Sequence, residues 1–319
     1  MATTRRQPRS KRSSSRTPAR GSADVRSALR LGTENAQWLL DSRERRRRSI
    51  RSAAPGRRAR REAVAGPRPL LVAEGDSWFN YPFFNTLEAL EDGYDYDVES
   101  VAHPGDTMES MAYDPAQLDG FARLLAKLSR DQRTPHAVLL SAGGNDVQGP
   151  VLWTLLNHHG GTQAGFNESI MRGVFEERLR LALVTMLGTV TSLYRAHFSA
   201  APNILIHGYD YPVADGRGYA GGFWVLPGPW LEPEFRGRGY QVLAERVRYM
   251  TVLIDRFNQM IASVTREPGL GHVRYVDLRG TLSADLPSGY KQSWANELHP
   301  TGDGFKAVAD KLHRVLRQI

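Results

Sequence analysis

From Pro69 to the C-terminus, short apolar runs alternate with stretches whose apolar residues recur every three or four positions. That texture is the signature of a parallel sheet joined by crossover helices. Five runs predict strands: Leu70 to Ala73, Tyr96 to Ala102, His136 to Ser141, Asn203 to His207 and His272 to Leu278. Between the second and third, Leu118, Phe121, Leu124, Leu125 and Leu128 sit at helical spacing and Pro135 helps close the segment. Phe175 to Phe198 and Tyr240 to Val264 predict longer helices. At the end, Phe305, Val308, Ala309, Leu312, Val315 and Leu316 form one stripe behind Thr301, a residue suited to an N-cap. That stripe should pin the last helix to the sheet and fix the loop before it.

Two connections are too long and too aromatic for simple turns. Val147 to Met171 includes Trp153 and the pair His158-His159, and Tyr209 to Phe235 includes Tyr211, Phe223, Trp224 and Trp230 among many Gly and Pro. Both follow predicted strand ends, the edge where open α/β sheets bind ligands, so they are expected to be lids or pocket walls. The alternative is surface loops that pack their own aromatics.

The first 68 residues lack this texture. Residues 1 to 22 are rich in Arg, Ser, Thr and Pro, with too little apolar surface to offset chain ordering, and are expected to be disordered. From Ser22 to about Ser52, Val25, Leu29, Leu31, Trp38, Leu39, Leu40 and Ile50 allow a helix or two, ending in the run Arg45 to Arg48. A second basic cluster follows at Arg57 to Arg61. The expected division is therefore a largely disordered, Arg-rich tail over 1–68 and one α/β domain over 69–319.

Charge divides at the same place. The overall +8 is a tail with 20 Lys and Arg against 5 Asp and Glu, net +15, followed by a body with 22 against 29, net −7. The basic tail suits a polyanion or an anionic membrane surface, or is a solvated linker; no aromatic interleaving or nucleic-acid motif accompanies its arginines. No stretch approaches the roughly 18 apolar residues of a membrane span, and no apolar segment of a Sec-type signal follows the N-terminal arginines, so a cytoplasmic location is expected. The absence of cysteine excludes disulfides, thiolate metal sites and a cysteine nucleophile. His158-His159 lacks a third ligand at a recognisable spacing, and the Gly216 to Gly222 stretch lacks the Lys-Ser/Thr of a phosphate loop. No metal or cofactor is expected.

The chemistry concentrates where the first strand stops. Leu70 to Ala73 runs into Glu74-Gly75-Asp76-Ser77-Trp78, which offers a serine hydroxyl at a strand's carboxyl end. Such a hydroxyl becomes a nucleophile if an imidazole takes its proton, and His299, just before the last helix, is the candidate. Two further loops carry groups able to stabilise an oxyanion. Gly105, in the loop after the second strand, can bring a bare backbone N–H to a ligand, and Asn145, in Gly143-Gly144-Asn145-Asp146 after the third, can donate its amide. Nucleophile and donors converging on one carbonyl oxygen is what acyl transfer needs. Asp76 and Asp146 are expected to hold their loops by side-chain hydrogen bonds.

In these blocks and their order the chain resembles the SGNH, or GDSL, hydrolases: Gly75-Asp76-Ser77, then Gly105, then Gly143-Gly144-Asn145-Asp146, then His299-Pro300. The resemblance spans residues 70 to 317. It implies a three-layer α/β/α sandwich around a mainly parallel five-stranded sheet, flavodoxin-like, and hydrolysis of carboxylic esters through an acyl-enzyme. Ser77 would be the nucleophile, His299 the base, and Asn145 with the Ser77 and Gly105 N–H groups the oxyanion hole. The small-molecule ester would meet Trp78, Phe79, Tyr209, Tyr211 or Trp224 in its pocket. The chain departs from the pattern once: the aspartate three residues before the histidine is replaced by Asn296. Asn296 is a candidate to orient His299, with Glu297, Asp277, Asp303 or a backbone carbonyl as alternatives. A non-catalytic binding protein on the same fold, carried to a polyanion by the tail, is the rival reading.

Overall fold

The computed structural model describes residues 20–51, 68–219 and 227–319. Its centre is a parallel sheet of β1 (Leu70–Gly75), β2 (Asp97–Ser100), β3 (Ala137–Ser141), β4 (Ile204–His207) and β5 (Val273–Val276), in the order β2-β1-β3-β4-β5. Each strand lies within, or begins at, one of the five predicted runs. Val72 of β1 pairs with Glu99 on one side and Val138 on the other. Every residue of β1, β3 and β4 is buried, which explains their unbroken apolar runs: helices cover both faces.

In chain order the helices are α1 (Arg20–Arg51), α2 (Thr86–Tyr94), α3 (Met108–Tyr113), α4 (Pro115–Arg130), α5 (Pro150–Leu155), α6 (Glu168–Arg172), α7 (Arg180–Phe198), α8 (Glu232–Gly237), α9 (Leu243–Val264) and α10 (Gly302–Leu316). The strand order reverses direction after β2, so right-handed crossovers put α2 on one face and α4, α7 and α9 on the other. α10 returns to pack on α2. Thr301 caps α10 by accepting the Gly304 N–H at 3.1 Å, and the apolar stripe behind it is buried. The loop carrying His299 is thereby anchored at its C-terminal end.

The expected boundary after residue 68 does not separate packed from unpacked chain. Residues 20–51 form a single helix lying along α7. Val25, Ala28, Ala36 and Leu39 are buried at helical spacing, while Trp38 stays 56% exposed. Between them sits Gly32, where a methyl group would lie 2.3 Å from the Thr185 carbonyl oxygen of α7. The helix can approach that closely only without a side chain there. α7 in turn buries residues all round, from Ala182 to Tyr194, because α1 covers its outer side. The helix agrees with the one or two helices expected from Ser22 to about Ser52, while its packing on α7 was not expected; Arg57 to Arg61 and most of residues 1–22 lie outside the described residues. Among the described residues, no helix is long and apolar enough to cross a membrane.

Candidate active site

The carboxyl edge of the sheet gathers the loops after β1, β2 and β3 with the loop before α10. β1 ends at Gly75, and Asp76 N–H donates to the Ser141 carbonyl oxygen at 3.1 Å, so the turn is tied to the end of β3. The Asp76 carboxylate is fully enclosed. It accepts the Trp78 N–H at 2.9 Å, the Ser141 hydroxyl at 2.7 Å and the Tyr209 hydroxyl. Burial raises its pKa to about 6 against the pull of those donors. Asp146 is built the same way: it accepts the Met108 and Glu109 N–H groups at 2.7 and 3.3 Å, joining the Asn145 loop to the start of α3, and burial raises it to about 6. Both aspartates brace loops and touch no imidazole.

Ser77, held in that turn, has its Oγ 2.8 Å from His299 Nε2. The other ring nitrogen, Nδ1, is 3.0 Å from Asn296 Oδ1. That oxygen also receives the backbone N–H groups of Leu298 and His299, both at 2.9 Å, and these can only donate. The atom facing Nδ1 is therefore an acceptor and Nδ1 carries the proton. Nε2 is left with its lone pair towards the serine. Asn296 Nδ2 donates to the Tyr81 hydroxyl at 3.0 Å, and the Tyr81 ring stacks on the imidazole at 4.0 Å. The Trp230 ring stands nearly perpendicular to the imidazole, with centroids 5.5 Å apart. Enclosed in this way and facing an amide rather than a carboxylate, His299 has its pKa driven down to about 3 by desolvation. It is neutral at pH 7.

None of the carboxylates considered from the sequence faces His299. Glu297 is fully buried and accepts four backbone N–H groups, those of Gly216, Trp230, Leu231 and Glu232, at 2.7–2.9 Å. It clamps the long connection after β4 to the histidine loop. Asp277 pairs with Arg279 and Asp303 with Lys306, both near the surface.

Ser77 lies between two cavities. The wider, about 870 Å³ including its open mouth, is bordered by Gly105, Asn145, Tyr81, Tyr219, Trp230 and His299. The narrower, about 530 Å³, is walled by Trp78, Tyr209, Met250, Ile254 and Phe257. Gly105 has φ +90° and faces open space. Among the described residues, the N–H groups of Ser77 and Gly105 make no hydrogen bond, and Asn145 uses one amide hydrogen on the Asp106 carbonyl oxygen at 2.8 Å, leaving the second.

The five-stranded parallel sheet with helices on both faces is consistent with the α/β/α sandwich that the resemblance to SGNH hydrolases implies. No family model matches the chain, and no curated protein does. Similar solved structures include an inhibitor-bound aryl esterase from M. smegmatis, 15% identical over 78% of this chain and 99% of that one, with a TM-score of 0.42. Another is a carbohydrate acetylesterase family member from Sinorhizobium meliloti, at 16%, 78%, 98% and 0.40 in the same order. A third is an acetylxylan esterase from Geobacillus stearothermophilus, at 14%, 79%, 95% and 0.38. Identities this low leave the chemistry to be read from this chain's own residues.

Of the pocket residues expected from sequence, Trp78 and Tyr209 line the narrower cavity. Phe79 does not: it is buried in the core against His207, because the turn after β1 aims it behind the sheet edge. Tyr211 is likewise turned away, its hydroxyl donating to Asp255 at 2.8 Å. Trp224 lies outside the described residues. Trp230 borders the wider cavity, as expected of the long connection after β4, and Tyr219 of the same connection joins it. Tyr81 and Gln148 were not expected, and nothing in the sequence distinguishes Gln148. His158 and His159 do not act together: His158 Nδ1 accepts the Gly160 N–H at 3.1 Å, and His159 faces Glu245 at 3.4 Å.

Proposed function

We propose that this protein hydrolyses carboxylic esters through a serine-bound acyl intermediate. The observation that carries the reading is the row Ser77 Oγ, His299 Nε2, His299 Nδ1, Asn296 Oδ1, with contacts of 2.8 and 3.0 Å. A neutral imidazole with its lone pair on a serine hydroxyl is a general base in place. Ser77 Oγ bonds to the ester carbonyl carbon while its proton passes to His299 Nε2. The carbonyl oxygen becomes an oxyanion that the Ser77 and Gly105 N–H groups and the Asn145 amide can receive, each such donor contributing roughly 3 kcal/mol of barrier lowering. As the C–O bond to the alcohol breaks, Nε2–H protonates the leaving oxygen. Water then repeats the sequence on the acyl-enzyme and returns the proton to Ser77.

The two cavities give the substrate a direction. His299 and Gly105 border only the wider one, so the leaving alcohol, which must take its proton from Nε2, belongs there. The acyl chain then enters the narrower, apolar cavity beside Ile254 and Phe257. Hydrolysis of short p-nitrophenyl esters and labelling by a fluorophosphonate probe test the reading. Both are expected in the wild type and neither in Ser77→Ala; equal rates in the two proteins, or a Ser77 inert to the probe, would sink it.

A further inference from the structure

Proton transfer from Ser77 would leave a positive charge on a buried ring, and little around His299 is negative enough to meet it. Nδ1 faces an amide oxygen, and among the described residues no carboxylate pairs with the imidazole. What does meet the ring is the face of Tyr81, with centroids 4.0 Å apart and planes 20° from parallel. Two neutral aromatic rings disfavour that arrangement because their negative faces repel, and they settle into offset or edge-on packing with centroids roughly 4.5–7 Å apart. An imidazolium favours it, because a cation is drawn to the same face. Tyr94 stacks on His313 in a similar way, but those two rings are partly exposed and water can take up a charge there. His299 is buried and has no such solvent.

The Tyr81 ring is held in that place from several sides. Its neighbour Asn80 donates a side-chain N–H to the Ala102 carbonyl oxygen at 2.8 Å, which ties the segment to the loop after β2. The Tyr81 hydroxyl accepts Asn296 Nδ2 at 3.0 Å, and the rings of Tyr219 and Phe305 pack against it at 5.8 and 6.0 Å. We infer that Tyr81 supports the imidazolium formed on His299, through the face of its ring, in a site where Asn296 offers no negative charge. The inference rests on the ester-hydrolase reading above. The charge appears when Nε2 takes the Ser77 proton and disappears when that proton passes to the leaving oxygen. It returns in the same way when water attacks the acyl-enzyme, so the ring acts in both halves of the reaction. Asn296 keeps the separate task of holding the tautomer.

The test replaces Tyr81 with phenylalanine and then with 4-fluoro-, 3,5-difluoro- and pentafluorophenylalanine, which keep the ring's shape while draining negative charge from its face. Tyr81→Phe removes the hydroxyl that Asn296 donates to and so sets the baseline for the other three. With p-nitrophenyl acetate, kcat should fall stepwise along the series by about tenfold in all, while KM changes by less than about twofold. The less fluorinated members keep the slope measurable if the pentafluoro protein does not fold. A kcat that stays flat along the series, or a change confined to KM as from a mere pocket wall, overturns the inference. Failure of the esterase reading looks different: the wild type itself neither cleaves the ester nor takes up the fluorophosphonate, and the inference then falls with it.

Discussion

The loop that carries His299 and the helix pair α1–α7 are held to the same sheet in opposite ways. In the loop, buried side-chain acceptors collect backbone donors: Glu297 takes four N–H groups and Asn296 Oδ1 takes two as well as the imidazole. Between α1 and α7 the contact is one of shape, with Gly32 against the Thr185 carbonyl and a Gly188 methyl that would lie 3.0 Å from the Leu29 oxygen. The first kind of attachment carries the reacting groups and fails by leaving polar atoms unpaired. The second carries none of them and fails by steric displacement. Activity and stability should therefore separate between the two regions.

Glu297→Ala tests the first kind most severely. Four buried N–H groups lose their acceptor, and the loss should be about 4 kcal/mol, read as a fall of roughly 10 °C in Tm, with kcat falling too because the loop also holds His299. Gly32→Leu tests the second. It should cost about 3 kcal/mol by forcing α1 off α7 while kcat/KM of the protein that remains folded stays within twofold; a matching loss of activity would show that α1 reaches the site. Asn296→Ala should lower kcat/KM by about a hundredfold, since nothing would then hold the tautomer that leaves Nε2 free.

A smaller effect concerns pH. With the folded pKa of His299 near 3, kcat/KM should stay flat on the acid side well below 6.5, where a free imidazole would already be protonated. Asn296→Asp places a carboxylate against Nδ1, favours the imidazolium and should move that acid limb upward; an unmoved limb would remove residue 296 from control of the base. The same depressed pKa contributes stability that is present in full above about 6.5 and lost as pH falls towards 3. Asp76, raised to about 6, acts with the opposite sign, its contribution present in full below 3.8 and lost as pH rises through 6. Asp303→Asn, at an exposed pair with Lys306, should change neither rate nor stability by more than about 0.5 kcal/mol.

What could be read from the sequence follows the same division. The strands were legible because a sheet covered on both faces needs uninterrupted apolar runs, and the four loop blocks because the ester hydrolysis proposed above would restrict which residue types can stand there. The place of Glu297 was not legible. A carboxylate beside a histidine reads equally well as its partner or as an anchor, and the four N–H groups that decide the matter belong to backbone whose direction no side chain reveals. The docking of α1 escaped for a related reason: its apolar residues allowed a helix, but beside Val25 and Leu39 its close approach to α7 runs through Ala28, Gly32 and Ala36, small residues that announce no partner. The signal that was present lay in α7, whose apolar residues fall on every side and so require a second covering element.

Trp78, the residue after the serine, donates its indole N–H to the carbonyl oxygen of Leu298, the residue before the histidine, at 3.0 Å. Its ring is packed edge-on by Tyr209 and by Trp294, with Phe305 of α10 beneath. Serine and histidine, 222 positions apart along the chain, thus ride on one rigid strut only one peptide link from each. A shift of the sheet edge that carries one of the two residues should therefore carry the other with it, so the gap across which a proton would pass is braced by an indole as well as by the long path of backbone between its ends.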